Sequence, residues 1–165
     1  MTTKTEMNPK HADLALSAFS RIAETVGIDW CLYAGTCLGL HRDGKYLPGD
    51  NDIDVAVRAE PGELNELWNA LHRAGFKLGK ANENKDGSRN RHTYYHPEMV
   101  YPDEGGVLVD VFFAFPEEEE NLLTWFDGIY YKGELYLTPH PVDMYLQHAY
   151  GDWWDKSLRN SAAGK

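Results

Sequence analysis

The segment that most constrains the fold of this chain is residues 52–57, Asp-Ile-Asp-Val-Ala-Val, in which acidic and apolar residues alternate. The β-branched residues favour a strand, and successive side chains of a strand point to opposite faces of its sheet. Asp52 and Asp54 are therefore expected to project together from one face. Because neighbouring carboxylates repel each other, the pair requires a positive charge between them. We expect a divalent cation with oxygen ligands, Mg²⁺ or Mn²⁺, at this position.

A turn of small residues lies upstream of this strand. Gly35 and Thr36 follow the apolar run 30–34 and precede residues 37–42, which are predicted as a short helix. Such a turn exposes backbone N–H groups that suit a phosphate, and a plain turn with Thr36 as the helix cap has the same geometry. Phosphate ligands beside a carboxylate-bound metal are the parts that phosphoryl-type transfer requires.

A third acidic residue interrupts the apolar segment 105–115. An isolated charge in such a run costs much free energy to bury unless it is paired or bound to a metal. If this strand lies beside the strand of Asp52 and Asp54, Asp110 joins them in one cluster, whereas alone it could sit at a sheet edge. Asp50 is a weaker candidate, because Pro-Gly-Asp-Asn is also ordinary turn chemistry.

Two groups of basic residues are candidates for contact with a phosphate. Arg42 and Lys45, in a polar loop predicted over residues 41–48, could bind the phosphates of a donor or could be ordinary surface cations. The second group flanks a polar segment, residues 79–91, that is predicted as a mobile loop. Its members could close over a phosphate, although solvated loop charges are commoner. They are Arg89, Arg91 and His92.

These residues resemble the LicD family, which includes the fukutin-type transferases, within the nucleotidyltransferase fold superfamily. That superfamily carries a glycine-led turn, then an Asp-x-Asp strand, then a third acid on a later strand. The chain matches the superfamily or the narrower family at Gly35-Thr36, Leu38-Gly39, Arg42, Gly44, Pro48, residues 50–54, Asp110 and the ending Tyr150-Gly151-Asp152-Trp153. It departs from the family at Gly49, where an aromatic residue is usual, and at Asn51, where an acid is usual.

The resemblance implies an α+β fold of the nucleotidyltransferase (polymerase-β) type, in which helices flank a mixed β-sheet. It also implies a transferase that moves a phosphate-containing group, such as phosphocholine or a polyol phosphate, from a CDP-linked donor to a hydroxyl of a glycan or small-molecule acceptor. In that interpretation Asp52, Asp54 and Asp110 are the catalytic and metal-binding residues. Asp110 could instead take the proton of the acceptor. Gly35 and Thr36, with Arg42 and Lys45, are then the residues that bind the donor's phosphates.

Two alternatives to this function stay open from the sequence. The same residues could transfer NMP from an NTP to a small molecule, since both reactions need a metal and phosphate ligands. The chain could also be a non-catalytic nucleotide-binding domain that kept the fold, because fold does not determine function.

The composition bounds the class of protein. A chain of 165 residues with 42% hydrophobic residues predicts a single domain over residues 1–165. The net charge of −10 argues against a nucleic acid as the partner but is compatible with a small charged substrate. The two cysteines indicate a reducing compartment. With no apolar stretch of membrane-spanning length and no signal-peptide pattern, we expect a cytoplasmic protein.

Hydrophobic periodicity and turn residues predict the remaining elements. Helices are predicted over residues 9–26, from residue 60 to about residue 75, and over residues 141–150. Strands are predicted at residues 29–34, 76–78, 92–96, 107–115, 122–126, 129–131 and 135–137. Residues 127–128 and 132–133 are predicted as turns, and the four consecutive acids at 117–120 as a solvated turn. Residues 1–8 and 156–165 are predicted as a frayed terminus and a tail.

Overall fold

The computed structural model describes residues 6–84, 89–99 and 106–157 of the chain. Four predictions lie partly outside these residues: most of the frayed terminus, the middle of the loop over residues 79–91, the start of the apolar segment at residue 105, and most of the tail. Within the described residues the chain is a mixed α+β structure in which helices flank a mixed β-sheet. This coarse fold class was predicted from the sequence.

The described residues include five α-helices and seven β-strands. The α-helices are α1 Pro9–Val26, α2 Ala34–Leu38, α3 Pro61–Arg73, α4 Glu117–Glu120 and α5 Val142–Tyr150. The strands are β1 Asp29–Leu32, β2 Asp52–Arg58, β3 Lys77–Asn82, β4 Asn90–Tyr95, β5 Leu108–Ala114, β6 Phe126–Tyr131 and β7 Glu134–Pro139. A π-helix covers Gly39–Asp43, and short 3₁₀-helices cover Pro97–Met99 and Asn121–Leu123.

Five of the described strands form the main sheet, in the order β1-β2-β5-β4-β3. Strands β2 and β5 are parallel, and the other neighbours are antiparallel. The register of the parallel pair places Asp54 directly opposite Asp110. Because residues in register point to the same face, the acids of β2 and of β5 meet on one face of the sheet.

The other face of the sheet forms the main core with α1 and α3. Its strand residues Ile53, Val55 and Val111 are fully buried. Helix α1 presents an apolar stripe to this core, consisting of Ala12, Ala15, Leu16, Phe19 and Ala23. The helix ends at Gly27, whose φ of 81° is the left-handed conformation that favours glycine at a helix C-terminus.

Strands β6 and β7 form a separate hairpin that packs against β1 and α1. Lys132 and Gly133 make its turn, both with positive φ, as a two-residue hairpin turn requires. Tyr136 of β7 makes an edge contact with Trp30 of β1, with 6.2 Å between the ring centroids. On the same side of the hairpin, 6.5 Å from the Tyr136 ring, Tyr131 donates a hydrogen bond to Asp13 of α1.

Several predicted elements differ from the structure. Residues 79–82, predicted as the start of a loop, continue the strand that begins at Lys77, because the backbone pairs with β4 although the side chains are mostly exposed. Residues 122–126 are not a strand, since a 3₁₀-helix buries Leu123 there and β6 begins at Phe126. The predicted turn at 127–128 lies inside β6. The predicted loop over 41–48 begins with the π-helix.

No helix within residues 6–84, 89–99 and 106–157 is both long enough and apolar enough to cross a membrane.

Candidate active site

The three predicted acids converge. Asp52 and Asp54 lie on β2, and Asp110 lies on the neighbouring strand β5. Each of the three offers a carboxylate oxygen, and these oxygens all lie within 4.8 Å of one another. The three residues are buried, with Asp54 fully shielded from solvent. The alternation along β2 and the register of β2 with β5 are the features that bring them together.

The cluster fits a divalent cation. Carboxylate oxygens are the ligands that Mg²⁺ and Mn²⁺ prefer, and the three oxygens are close enough to share one ion. Asp52 Oδ1 is buried and has no hydrogen-bond partner within the described part of the chain. A buried carboxylate oxygen without a partner costs free energy that a bound cation would recover.

Strand β4 supplies two donors to Asp110. Thr93 lies opposite Asp110 in the antiparallel ladder, and its hydroxyl donates to Asp110 Oδ1 at 2.6 Å. Arg91 Nη1 donates to Asp110 Oδ2 at 3.3 Å. The guanidinium of Arg91 also lies 5.7 Å from the centre of the Phe112 ring. Asp110 is therefore held from both of its oxygens, and a positive charge stands at the edge of the acid cluster.

Gly35 and Thr36 lie inside the first turn of α2 rather than in a turn before it. The preceding residue, Ala34, has a φ of 44°, a conformation that non-glycine residues rarely adopt and that often marks a functional site. The buried hydroxyl of Thr36 accepts a hydrogen bond of 2.8 Å from the backbone N–H of Asp54. Thr36 therefore fixes α2 against the acid-bearing strand, and its contact with a phosphate stays a prediction.

Gly35 lies against two carboxylates. A side chain at this position would place its Cβ 3.2 Å from Asp50 Oδ2 and 3.6 Å from Asp54 Oδ2. Glycine therefore allows the backbone of α2 to approach these two acids closely. The same geometry brings Asp50, which the sequence left as a weaker candidate, to the edge of the cluster.

The two predicted basic contacts differ in environment. Arg42 donates from Nε and Nη2 to the two carboxylate oxygens of Asp43, each at 2.9 Å, and from Nη1 to the carbonyl of Trp153 at 3.0 Å. The hydrogen bonds from Arg42 hold the pKa of Asp43 below its usual value. Lys45 is exposed. Arg42 thus holds the segment after α5 through Trp153. Phosphate binding by Arg42 and by Lys45 stays a prediction.

Helix α5 also borders the site, which the sequence indicated only through the family ending. Tyr145 is buried, and its hydroxyl accepts a 2.8 Å hydrogen bond from the backbone N–H of Ala34. Burial raises the pKa of Tyr150, and the charges of Asp54 and Asp50 raise it further, so that its phenol stays protonated beside these acids. Two tyrosines five residues apart on a short helix carried no recognisable signal of this role.

A second buried acidic site was missed from the sequence. Glu119, in the acidic run predicted as a solvated turn, is 1% exposed. Its carboxylate accepts a hydrogen bond from Tyr33 at 2.8 Å and pairs with Arg89 at 2.7 Å, and Arg89 also donates to the Tyr33 hydroxyl. We refer to Tyr33, Arg89 and Glu119 as the Glu119 cluster. Burial and the Glu119 charge raise the pKa of Tyr33.

Comparison with known proteins identifies a family and similar solved structures. A family model described as "LicD/FKTN/FKRP, nucleotidyltransferase domain" matches residues 27–140. No curated protein matches the chain. Among solved structures, the crystal structure of JHP933 from Helicobacter pylori is similar at 14% sequence identity and a TM-score of 0.43. The match covers 89% of this chain and 61% of that chain, so this chain spans about three fifths of its length.

Proposed function

The chain belongs to the LicD/FKTN/FKRP family, and from this premise we propose that it is a divalent-metal-dependent transferase acting on a CDP-linked donor. The group transferred contains a phosphate, such as phosphocholine or a polyol phosphate, and the acceptor is a hydroxyl of a glycan or a small molecule. The observation that carries the proposal is the buried cluster of Asp52, Asp54 and Asp110. We further propose that the mixed sheet is a nucleotidyltransferase-like fold and that the chain is one such domain.

In this proposal the acid cluster holds Mg²⁺ or Mn²⁺ through Asp52, Asp54 and Asp110. When bound, the cation would neutralise negative charge on the donor's diphosphate. The absence of a side chain at Gly35 lets the backbone of α2 lie close to Asp50 and Asp54, beside the position proposed for the diphosphate. Thr36 keeps the backbone of α2 at a fixed distance from β2 through its bond to Asp54.

The transfer step forms one bond and breaks one. The acceptor oxygen bonds to the phosphorus of the group that is transferred, and the bond from that phosphorus to the bridging oxygen of the diphosphate breaks, so that CMP leaves with the bonding electron pair. The acceptor's proton goes to a carboxylate, for which Asp110 is the candidate. Arg91 and Thr93 contact Asp110 and would orient its oxygens for either of its proposed roles.

Hydrolysis of the donor in ¹⁸O-labelled water tests the reaction without knowledge of the acceptor. We expect Mg²⁺-dependent cleavage of CDP-choline or a CDP-polyol, with ¹⁸O in the released phosphocholine or polyol phosphate. Label in CMP would instead show nucleotidyl transfer. Parallel reactions with labelled CTP and ATP extend that comparison to NTP donors. Nucleotide binding without Mg²⁺, and no turnover of any donor, would favour a non-catalytic domain.

Substitution of an acid in the cluster tests whether the reaction depends on these carboxylates. Asp52→Asn should abolish turnover while the protein stays folded, because it removes a negative charge from the proposed metal site. Asp29→Asn is a matched control, since Asp29 is an exposed aspartate on the neighbouring strand of the same sheet. Full activity of Asp52→Asn would refute the assignment.

A further inference from the structure

The three basic residues near the polar segment of residues 79–91 have different surroundings in the structure. Arg89 belongs to the Glu119 cluster. His92 points to the opposite face of the sheet, where it stacks on Trp68 and contacts Glu83. Arg91 points to the face that carries the acids and contacts Asp110. Alternation along β4 accounts for the separation of Arg91 from His92, because adjacent residues of a strand project to opposite faces, whereas Arg89 lies before the strand begins.

The contact between Arg91 and Asp110 is long for a pair of opposite charges. Hydrogen bonds between a guanidinium and a carboxylate are typically about 2.7–2.9 Å, whereas Arg91 Nη1 lies 3.3 Å from Asp110 Oδ2. Arg42 contacts its carboxylate at 2.9 Å and Arg89 contacts its carboxylate at 2.7 Å. The side chain of Arg91 is also 30% exposed, so solvent and solutes reach it.

The position of Asp110 does not depend on Arg91 alone. The hydroxyl of Thr93 holds Asp110 Oδ1 at 2.6 Å, so Oδ2 can change its partner while the carboxylate stays in place. The planar guanidinium has five N–H donors and binds a phosphate as readily as a carboxylate. Arg91 therefore lies beside the proposed metal ligands with a charge that is suited to either partner.

We propose that Arg91 is a phosphate-binding residue that exchanges partners. In the metal-free protein it balances part of the charge of Asp110. When a divalent cation and a diphosphate donor bind, Asp110 Oδ2 turns to the cation and the guanidinium turns to a donor phosphate. This inference rests on the proposed function for its donor, but its two steps are measurable without turnover.

The test compares Mn²⁺ and CDP binding in three proteins: the unaltered chain, Arg91→Met and Arg58→Met. Arg58 is the control because it lies on β2, is exposed, and contacts a backbone carbonyl rather than a carboxylate, so its removal changes the net charge equally. Free Mn²⁺ is followed by electron paramagnetic resonance, and CDP binding at saturating Mn²⁺ by calorimetry. Urea denaturation of each variant verifies that it is folded.

Arg91→Met should bind Mn²⁺ about tenfold more tightly than Arg58→Met, because a competing cation has been removed, and should bind CDP about tenfold more weakly. Arg91→Lys keeps the charge but not the planar fork, so its Mn²⁺ affinity should stay near that of the unaltered chain. Its CDP affinity should lie between that of the unaltered chain and that of Arg91→Met. Equal Mn²⁺ affinity in Arg91→Met and Arg58→Met would overturn the proposal. So would tighter Mn²⁺ binding by Arg91→Met without weaker CDP binding.

Failure of the proposed function would give a result different from failure of the partner exchange. In that case the unaltered chain would bind Mn²⁺ and CDP, and the variants would differ as described, but no donor would be turned over. Binding data that contradict the exchange, together with turnover that requires Asp52, would instead remove Arg91 from the site and leave the transferase proposal intact.

Discussion

The acid cluster and the Glu119 cluster both bury carboxylates, but they balance the charge differently. Glu119 receives a short ion pair from Arg89 and a hydrogen bond from Tyr33, and these two partners also contact each other. In the acid cluster three carboxylates share one region, and the contact from Arg91 is long. Among the described residues, the buried Oδ1 of Asp52 has neither a hydrogen-bond partner nor an ion pair.

This is the difference expected between a structural ion pair and the proposed metal site. A buried carboxylate that serves the fold has its partners built in, because an unpaired buried charge costs several kcal/mol. The close approach of three buried carboxylates and the unpartnered oxygen of Asp52 among the described residues support the proposal that the acid cluster binds a cation from outside the chain. Sites where the protein accepts such a cost are the ones where function is expected.

The largest predicted effect tests the Glu119 cluster. Glu119→Gln keeps the size of the side chain but leaves Arg89 beside a neutral amide. Because breaking a buried pair by removing one partner costs about 3–5 kcal/mol, and because Arg89 is 28% exposed, we expect a loss near the lower end, about 3 kcal/mol of unfolding free energy. Urea denaturation measures it.

The control for this substitution is Glu118→Gln, an exposed neighbour in the same acidic run. It should change the free energy of unfolding by no more than about 0.5 kcal/mol. Equal effects of Glu118→Gln and Glu119→Gln would mean that the Glu119 cluster contributes nothing specific, and the contrast between the two acidic sites would be lost.

The second prediction concerns the acid cluster, where removal of a negative charge should stabilise the metal-free protein instead of destabilising it. Asp52→Asn should raise the free energy of unfolding of the metal-free protein by about 1 kcal/mol, because it removes a repelling buried charge. At a Mg²⁺ concentration of 100 times the dissociation constant, the unaltered chain should gain about 2.7 kcal/mol, and Asp52→Asn should lose most of that gain. Denaturation with Mg²⁺ and with chelator measures both quantities.

Glu119→Gln serves as the cross-control, since it should keep the full Mg²⁺ increment despite its lower stability. If Asp52→Asn destabilised the metal-free protein and kept the Mg²⁺ increment, the acid cluster would be an ordinary structural element and the cation would bind elsewhere.

These contrasting sites also show which features a sequence reveals. The convergence of Asp52, Asp54 and Asp110 could be predicted because the acids of β2 recur with the strand period of two and Asp110 interrupts an apolar run. Glu119 could not, because its environment depends on partners 30 and 86 residues away in the sequence, and a run of acids is usually solvated. Local pattern therefore predicts which face a residue occupies, but it does not predict distant partners.

The wrong element boundaries have the same cause. Strand β3, Lys77–Asn82, is held by its backbone pairing with β4, so its mostly exposed side chains show no apolar alternation. Leu123 belongs to an apolar run that resembles a strand, yet it is buried from a 3₁₀-helix. In both segments the tertiary partner, rather than the local pattern, determines the backbone conformation.

The smallest predicted effect comes from Asp13, whose carboxylate has its partners built in but lies nearer to solvent. Tyr46 and Tyr131 each donate to Asp13 Oδ1 at 2.7 Å, and Lys132 contacts Oδ2. Burial alone would raise the pKa of Asp13, but the hydrogen bonds from Lys132, Tyr46 and Tyr131 outweigh it and hold the pKa below the ordinary 3.8. Because Asp13 lies nearer to solvent than Glu119, its hydrogen bonds and ion pair should contribute less to the free energy of unfolding than those of Glu119.

We therefore expect Asp13→Asn to cost about 1 kcal/mol at neutral pH. Because the folded pKa is depressed, the carboxylate's contribution is fully present above the unfolded pKa and is lost as the pH falls through the folded pKa. The stability difference between the unaltered chain and Asp13→Asn should thus be constant from pH 7 to about pH 5 and shrink only at lower pH. Parallel urea titrations measure this difference, since the other acids titrate alike in both proteins. A difference that grew on acidification would mean that Asp13 is buried without adequate partners, which would place it with the acid cluster rather than with Glu119.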